Sequence, residues 1–287
     1  MIYFSTGEYQ SMSPATSVAK LISYGQKNIE VSGGAHSKDH LRQLSQFQGK
    51  ANISLHNYFP FTETPFVFNL ASSDELISKC SLDMAKDAIE LSYILGASIY
   101  SFHAGFLVDP KPTQLGQNLG NHKIMNRDEA INLFIERIFL LSKFSENYGI
   151  RLLIENNVLT KNNLEAFNQN PLLMVNPVEI NHIMSCMPTN VGLLMDVGHL
   201  KVSSNTLGFK LSDAMTTTQK FTKGYHLSDN DGLRDSNDAY TPESWFWPYL
   251  VDSVDYTTVE VYRTTAKSMQ NLLDICMKNF QSTNGQK

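Results

Sequence analysis

The chain has 287 residues, a net charge of −5, 42% hydrophobic and 18% charged residues. That composition describes a globule able to bury a large core and excludes a disordered or fibrous chain. Lys and Arg are scattered and form no basic stripe, which makes nucleic acid an unlikely partner.

No run reaches about 18 apolar residues, and the opening MIYFSTGEYQ lacks a basic segment followed by an apolar one. The expectation is a cytoplasmic protein with no membrane partner. Cys80, Cys186 and Cys276 lie far apart with no CxxC pair, so neither a disulfide framework nor a thiolate zinc site is expected. They read as buried thiols in a reducing compartment.

Eight short runs rich in Ile, Val, Leu, Tyr and Phe read as strands in chain order: 2–5, 28–32, 52–56, 98–103, 151–155, 191–196, 224–228 and 257–262. Helical spacing fills most of the intervals, as in PATSVAKLISYG, SKDHLRQLSQF, the long SSDELISKCSLDMAKDAIELSYILG, NRDEAINLFIERIFLLSKFSENYG, NPVEINHIMSCM and the terminal TTAKSMQNLLDICMKNF. Ser, Asp or Asn opens several of these, and Gly96 and Gly149 close two. The sixth unit is less clear, and TPESWFWPYLVD offers at best a short seventh helix.

Alternation of this kind means parallel strands joined by crossover helices, and eight units give the α/β (β/α)8 TIM barrel, here one domain over residues 1–287. A doubly wound sheet would want GxGxxG after an early strand, which neither STGEYQ nor SGGAHS supplies. Residues 104–126 are too long and polar for a plain connection and read as a rim loop.

Chemistry in such barrels gathers at the C-terminal strand ends. Those ends carry Glu30, His56, His103, Glu155, Asp196 with His199 just beyond, His226 and Glu260. Ionisable groups are rarely buried unless paired or bound to a metal, so their convergence on one face points to a metal site. Carboxylates with imidazoles suit one divalent ion, Mn, Co, Zn, Mg or Fe. Glu155, Asp196, His226 and Glu260 come from four consecutive strands and form the expected ligand set. His56, His103 and His199 remain for substrate or a second ion. His226 opens HLSDNDGLRDSND, in which Arg234 reaches toward a substrate phosphate or carboxylate and Asp229, Asp231 and Asp235 form turns or orient ligands. Phe59, Phe61, Trp245 and Trp247 are candidates for a sugar-pocket wall. His36, His40, His122 and His182 have no assigned role.

LLIENN, MDVGHL, YHLSDNDG and VEVY, together with SLHNYFP and SFHAGF, resemble the xylose isomerase-like TIM barrels, a superfamily of sugar isomerases, ketose 3-epimerases, inosose dehydratases and endonuclease IV-type nucleases. The resemblance spans nearly the whole chain. It implies a divalent-metal-dependent sugar or sugar-phosphate isomerase or epimerase working through an enediolate, with Glu155 and Glu260 as ligands and acid–base pair. Its partner would be a small sugar or sugar phosphate, and a homo-oligomer stays open. The alternatives it carries are an endonuclease IV-like phosphodiesterase and an inosose dehydratase-like lyase. Two departures stand out: Asn237 occupies the place of a nuclease histidine, and Lys161 falls where the epimerases carry a further substrate glutamate.

Overall fold

A computed structural model describes residues 1–57, 59, 61–114, 122–251 and 254–284. The strands are β1 (Ile2–Ser5), β2 (Asn28–Val31), β3 (Asn52–His56), β4 (Ile99–His103), β5 (Arg151–Glu155), β6 (Val191–Asp196), β7 (Thr222–Leu227) and β8 (Tyr256–Val259). All pair in parallel, and β1 also pairs β8, so the sheet closes into a barrel in sequence order. Outside it run α1 (Pro14–Ser23), α2 (His40–Ser45), α3 (Glu75–Leu95), α4 (Arg127–Glu146), α5 (Lys161–Phe167), α6 (Pro177–Ser185), α7 (Val197–Leu207), α8 (Leu211–Thr218) and α9 (Ala266–Asn284).

The two-residue period of a strand decides what enters the barrel. Outward residues such as Leu152, Ile154, Leu193 and Tyr225 join the large core under the helices, while Ile99, Leu153, Leu194 and Tyr256 pack with one another inside. Two residues further along the same inward faces stand Ser101, Glu155 and Asp196, with His103 two beyond Ser101, so the polar site is the layer directly above an apolar plug. Contacts between strands that do not pair confirm the inward direction: Ser54 of β3 lies 2.9 Å from the Tyr256 hydroxyl of β8, and His226 of β7 lies 3.0 Å from Glu30 of β2. Gly192 and Gly224 make room for the plug, since a Cβ on Gly224 would come within 3.1 Å of Leu194, Leu153 and the Tyr256 carbonyl. Leu153→Ala should open a cavity in the plug and destabilise the fold by about 2–5 kcal/mol. A urea denaturation midpoint indistinguishable from that of the parent would contradict that packing.

The helix ends follow their sequence signals. Asp74 caps α3 by accepting from Leu76 N and Ile77 N, and Gly96 closes it at φ +76°. Asn126 caps α4, with Asp128 and Glu129 in its first turn complementing the helix dipole.

Several expectations need correction. Between β7 and β8 the described residues hold only a 3-10 turn, Trp247–Tyr249, where a short helix was expected. Short helices α5, α7 and α8 stand where the reading placed no helix. β8 ends at Val259, so Glu260 lies one residue past it. Of the three cysteines only Cys276 is buried; Cys80 of α3 is half-buried, and Cys186, at the C-terminal cap of α6, is exposed. Within the rim loop, Phe106 bridges Leu172 and residues 112–114 form a 3-10 turn, while 115–121 lie outside the described residues. Among the described residues no helix is long and apolar enough to cross a membrane.

Candidate metal centre

Seven of the expected strand-end residues converge at the C-terminal mouth of the barrel. Glu155 stands at the centre: its Oε2 lies 3.2 Å from His56 Nε2 and 3.5 Å from His103 Nε2, and its Oε1 lies 3.4 Å from both His199 Nδ1 and His226 Nδ1. His226 Nδ1 is also 2.9 Å from Glu260 and 3.8 Å from Asp196. Glu155, Asp196 and His226 are fully buried, and Glu260 is 9% exposed at the opening.

Three of the four imidazoles are held from behind. His226 Nε2 lies 3.0 Å from the buried Glu30 carboxylate, His56 Nδ1 lies 2.9 Å from Ser101 Oγ, and His199 Nδ1 lies 2.9 Å from the Asn156 carbonyl. In His226 and His56, one ring nitrogen tied outward leaves the other facing the cluster, which is how ligand histidines are usually oriented, whereas His199 turns its Nε2 to Asp235. Asp196 plays two parts. Its Oδ1 accepts from His199 N and caps α7, so strand, helix and site meet at one residue, and its Oδ2 is left toward the centre.

The site satisfies its hydrogen-bond acceptors poorly. Both carboxylate oxygens of Glu155, Asp196 Oδ2, His226 Nδ1 and Asp235 Oδ1 are buried without a hydrogen-bond partner. Unpaired buried charge costs several kcal/mol per group, on the order of the figures for isolated ions in protein interiors, unless a cation is present. One ligand atom each from Glu155, Asp196, His226 and Glu260 lies within 4.8 Å of the others, and His56, His103 and Glu155 form a second such group. Carboxylate oxygens with imidazole nitrogen are a donor set for a hard or borderline divalent ion, so the residues present fit a metal.

Proton equilibria express the same field. Burial, reinforced by Glu155, Asp235 and Glu260, pushes the Asp196 carboxyl up to about 8. Burial opposes charge on His226, but Glu30, Glu155 and Glu260 around it hold its pKa well above the usual histidine range. His199 is held up likewise by Asp196 and Asp235. His103 moves the other way, down to about 4, chiefly through burial, and is neutral at pH 7.

A carboxyl raised in the fold binds more protons folded than unfolded between its ordinary value and about 8. This carboxyl makes metal-free protein lose stability as pH rises across that window; the lowered His103 offsets the loss up to the ordinary histidine value of 6.5, and above it the raised histidines add to the loss, so the net fall is expected from there upward. A bound cation displaces those protons, so affinity should climb with pH up to about 8 and the alkaline loss should vanish in saturating Mn²⁺. Urea midpoints across pH 5–9 (a range of roughly two units either side of neutrality), with and without Mn²⁺, check the sign. A metal-free midpoint that rises through the upper part of this range would contradict the field described.

Other expected residues lie elsewhere. Arg234 is not brought to the cluster: its side chain is 78% exposed and pairs only loosely with Asp231 at 3.8 Å, because Asp231 caps a surface turn through Leu233 N and Arg234 N. Trp247 belongs to the core, packed against Tyr240 and Phe246 with its indole N–H donated to the Thr241 carbonyl. Phe59 is likewise buried, against His40 and Phe61. Asp229 accepts from Lys201 and Ser244, anchoring the β7 loop, and Asp235 lies 3.2 Å from His199 Nε2.

Asn237 sits at φ +47° and grips the end of β8: its Nδ2 donates to the Glu260 carbonyl and its own carbonyl accepts from Tyr262 N. The Tyr262 hydroxyl lies 3.4 Å from Glu260 Oε1. Sequence reading counted Glu30 among the strand-end candidates without placing it in the ligand set, and gave no role to Asn156, Asn157, Ser101 or Tyr262. Asn156 exchanges two hydrogen bonds with the Asp196 backbone, and the Asn157 amide donates to the carbonyls of Ala104, Gly105 and Leu173. The doubled Asn after Glu155 was the available signal, since two adjacent side-chain amides after a buried strand serve loop carbonyls.

The chain belongs to the xylose isomerase-like TIM barrel family, whose sequence model matches residues 19–276. Among its relatives, the uncharacterized protein MJ1311 of Methanocaldococcus jannaschii is 22% identical over 210 residues, covering 71% of this chain and 61% of that protein. The match therefore takes in about three fifths of the relative's length. A D-tagatose 3-epimerase-like protein superposes with a TM-score of 0.73 at 16% identity, over 99% of this chain and 98% of that one. D-psicose 3-epimerase from Clostridium cellulolyticum H10, solved with D-tagatose, superposes with a TM-score of 0.63 at 12% identity, over 94% and 88%. At these identities the likeness is one of fold.

Proposed function

We propose that the protein is a divalent-metal-dependent isomerase or epimerase of a sugar or sugar phosphate. The observation that carries this reading is the group Glu155, Asp196, His226 and Glu260, four ligand atoms within 4.8 Å with orphaned oxygens and two glutamates among them. A bound divalent ion supplies polarisation of a substrate carbonyl and its neighbouring hydroxyl, which stabilises an enediolate.

The remaining chemistry belongs to the side chains. One glutamate carboxylate takes the proton from the carbon beside the carbonyl, and the other returns a proton to the same carbon or its neighbour. Epimerisation results from return to the opposite face of the same carbon, isomerisation from return to the adjacent one. Glu260, partly open to the mouth, is the glutamate that solvent reaches between turnovers, while the imidazoles around the fully buried Glu155 hold its carboxyl well below the usual range and keep it ionised as a base. His103, neutral and 26% exposed, is placed to bind substrate hydroxyls.

The test is solvent exchange. Metal-loaded protein, given a panel of ketoses and their phosphates in deuterium oxide, should place deuterium beside the carbonyl of at least one of them, read by proton NMR. Failure across the panel, with cleavage of a duplex containing an abasic site, would favour a phosphodiesterase. That second reading is supported by His56, His103 and Glu155, which share Glu155 with the first group in the manner of a two-ion site. Asn237 counts against a third ion, because its amide is spent on the Glu260 carbonyl.

A further inference from the structure

Glu30 has no place in the ligand set, yet it is fully buried on the opposite side of the barrel interior from the strands that supply that set. Its Oε2 accepts from three donors: His226 Nε2 at 3.0 Å, Thr258 Oγ1 at 2.9 Å, and the Tyr256 hydroxyl. Ser54 lies 2.9 Å from that same hydroxyl and, with the phenol proton directed at Glu30, is its donor. An oxygen accepting from two hydroxyls is committed as an acceptor, so the proton shared with His226 sits on Nε2. The other ring nitrogen, Nδ1, is then the one left to an ion, and it faces the space between Asp196, Glu155 and Glu260, where it has no hydrogen-bond partner.

Resting on the metal-dependent reading above, we infer that Glu30 is a positioning residue: it sets the His226 tautomer and ring angle that present Nδ1 to the ion, and it is not itself a ligand. The distinction matters because Glu30, His56 and His226 also lie close enough to hold an ion among themselves, through His226 Nε2. Both arrangements cannot use a neutral His226 at once. A histidine whose Nε2–H is donated to a carboxylate has only Nδ1 to offer.

Glu30→Gln separates the two. A glutamine keeps the volume and, with its carbonyl in the place of Oε2, still accepts from Tyr256, Thr258 and His226 Nε2, but as a neutral acceptor it holds the ring and raises the basicity of Nδ1 less than the carboxylate does. The metal-stripped chain and the variant are titrated with Co²⁺, with bound ion counted by elemental mass spectrometry. In parallel, long-range proton–nitrogen correlation of the Zn²⁺-loaded protein, in which the ion has displaced any second ring proton, reads which His226 nitrogen keeps its proton, assigned by its loss in His226→Gln. The expected result is the Nε2–H form in the parent, unchanged ion stoichiometry in Glu30→Gln, and Co²⁺ affinity about 10–100-fold weaker. Thr258→Val, which removes one donor to Glu30 and leaves the His226 contact, should bind within about 3-fold of the parent, well short of that range. An Nδ1–H parent, equal affinity in Glu30→Gln, or loss of one ion per chain from that variant would each overturn the inference. A parent that binds no Co²⁺ would overturn the metal-dependent reading itself, and this inference with it.

Discussion

Glu155→Gln should abolish turnover, lowering kcat by about 10⁴-fold or more, the upper end for loss of a proton-transfer group, because the same change also strips a ligand. The substitution is nearly isosteric, but it removes the one negative charge to which His56, His103, His199 and His226 all turn. With that charge gone, the imidazoles face one another around a neutral amide and the centre loses its ligand common to both groups. The fold should survive, since β5 is held by its pairing to β4 and β6 and by the plug beneath. Glu260→Gln provides the contrast. It lies at the mouth, past the end of β8, and touches only His226 and Tyr262 among the titratable groups in close contact. It should cost about 10²–10⁴-fold in kcat as loss of one acid–base group, while part of the metal affinity remains. Equal retention of ion and activity in Glu155→Gln would remove Glu155 from the chemistry.

Stripping the ion should inactivate the protein completely and also make it less stable. At a free-ion concentration about 100-fold above the dissociation constant, binding to the folded state alone contributes about 2.7 kcal/mol. The gain arises because the cation satisfies oxygens of Glu155 and Asp196 that otherwise stay buried and unpaired. Differential scanning calorimetry of stripped and Mn²⁺-loaded protein measures it, and readdition of Mn²⁺ should restore both activity and the midpoint. Activity surviving exhaustive chelation would contradict the assignment.

Most of the barrel was legible because its signals are local. The apolar runs at 2–5, 52–56, 151–155 and 191–196 have the boundaries of β1, β3, β5 and β6, each bracketed by turn or cap residues. Boundaries slipped where local signals conflict. Thr222 and Lys223 belong to β7 but lie before the apolar run that begins at Gly224, and Glu260 to Tyr262 continue the alternation of β8 after the chain has left the sheet. Helices α5 and α8, KNNLEAF and LSDAMTTT, are too polar or too rich in Thr to show an apolar stripe, and tertiary contacts hold them.

At the site, the residues that converge were legible because period two places each strand-terminal ionisable group inside the barrel. What surrounds them was not. Glu30 and His226 are 196 residues apart and on strands that do not pair, so no spacing in the chain announces their contact. Arg234 erred in the opposite sense. A cation close in sequence to His226 was assigned to the mouth, but a type of turn capped by Asp231 carries it to the surface.

The most direct measurement is the divalent-metal content, by elemental mass spectrometry, of protein purified without added metal, alongside His226→Ala. The account predicts one ion per chain in the parent and its loss in the variant; the absence of any divalent ion from both would contradict it.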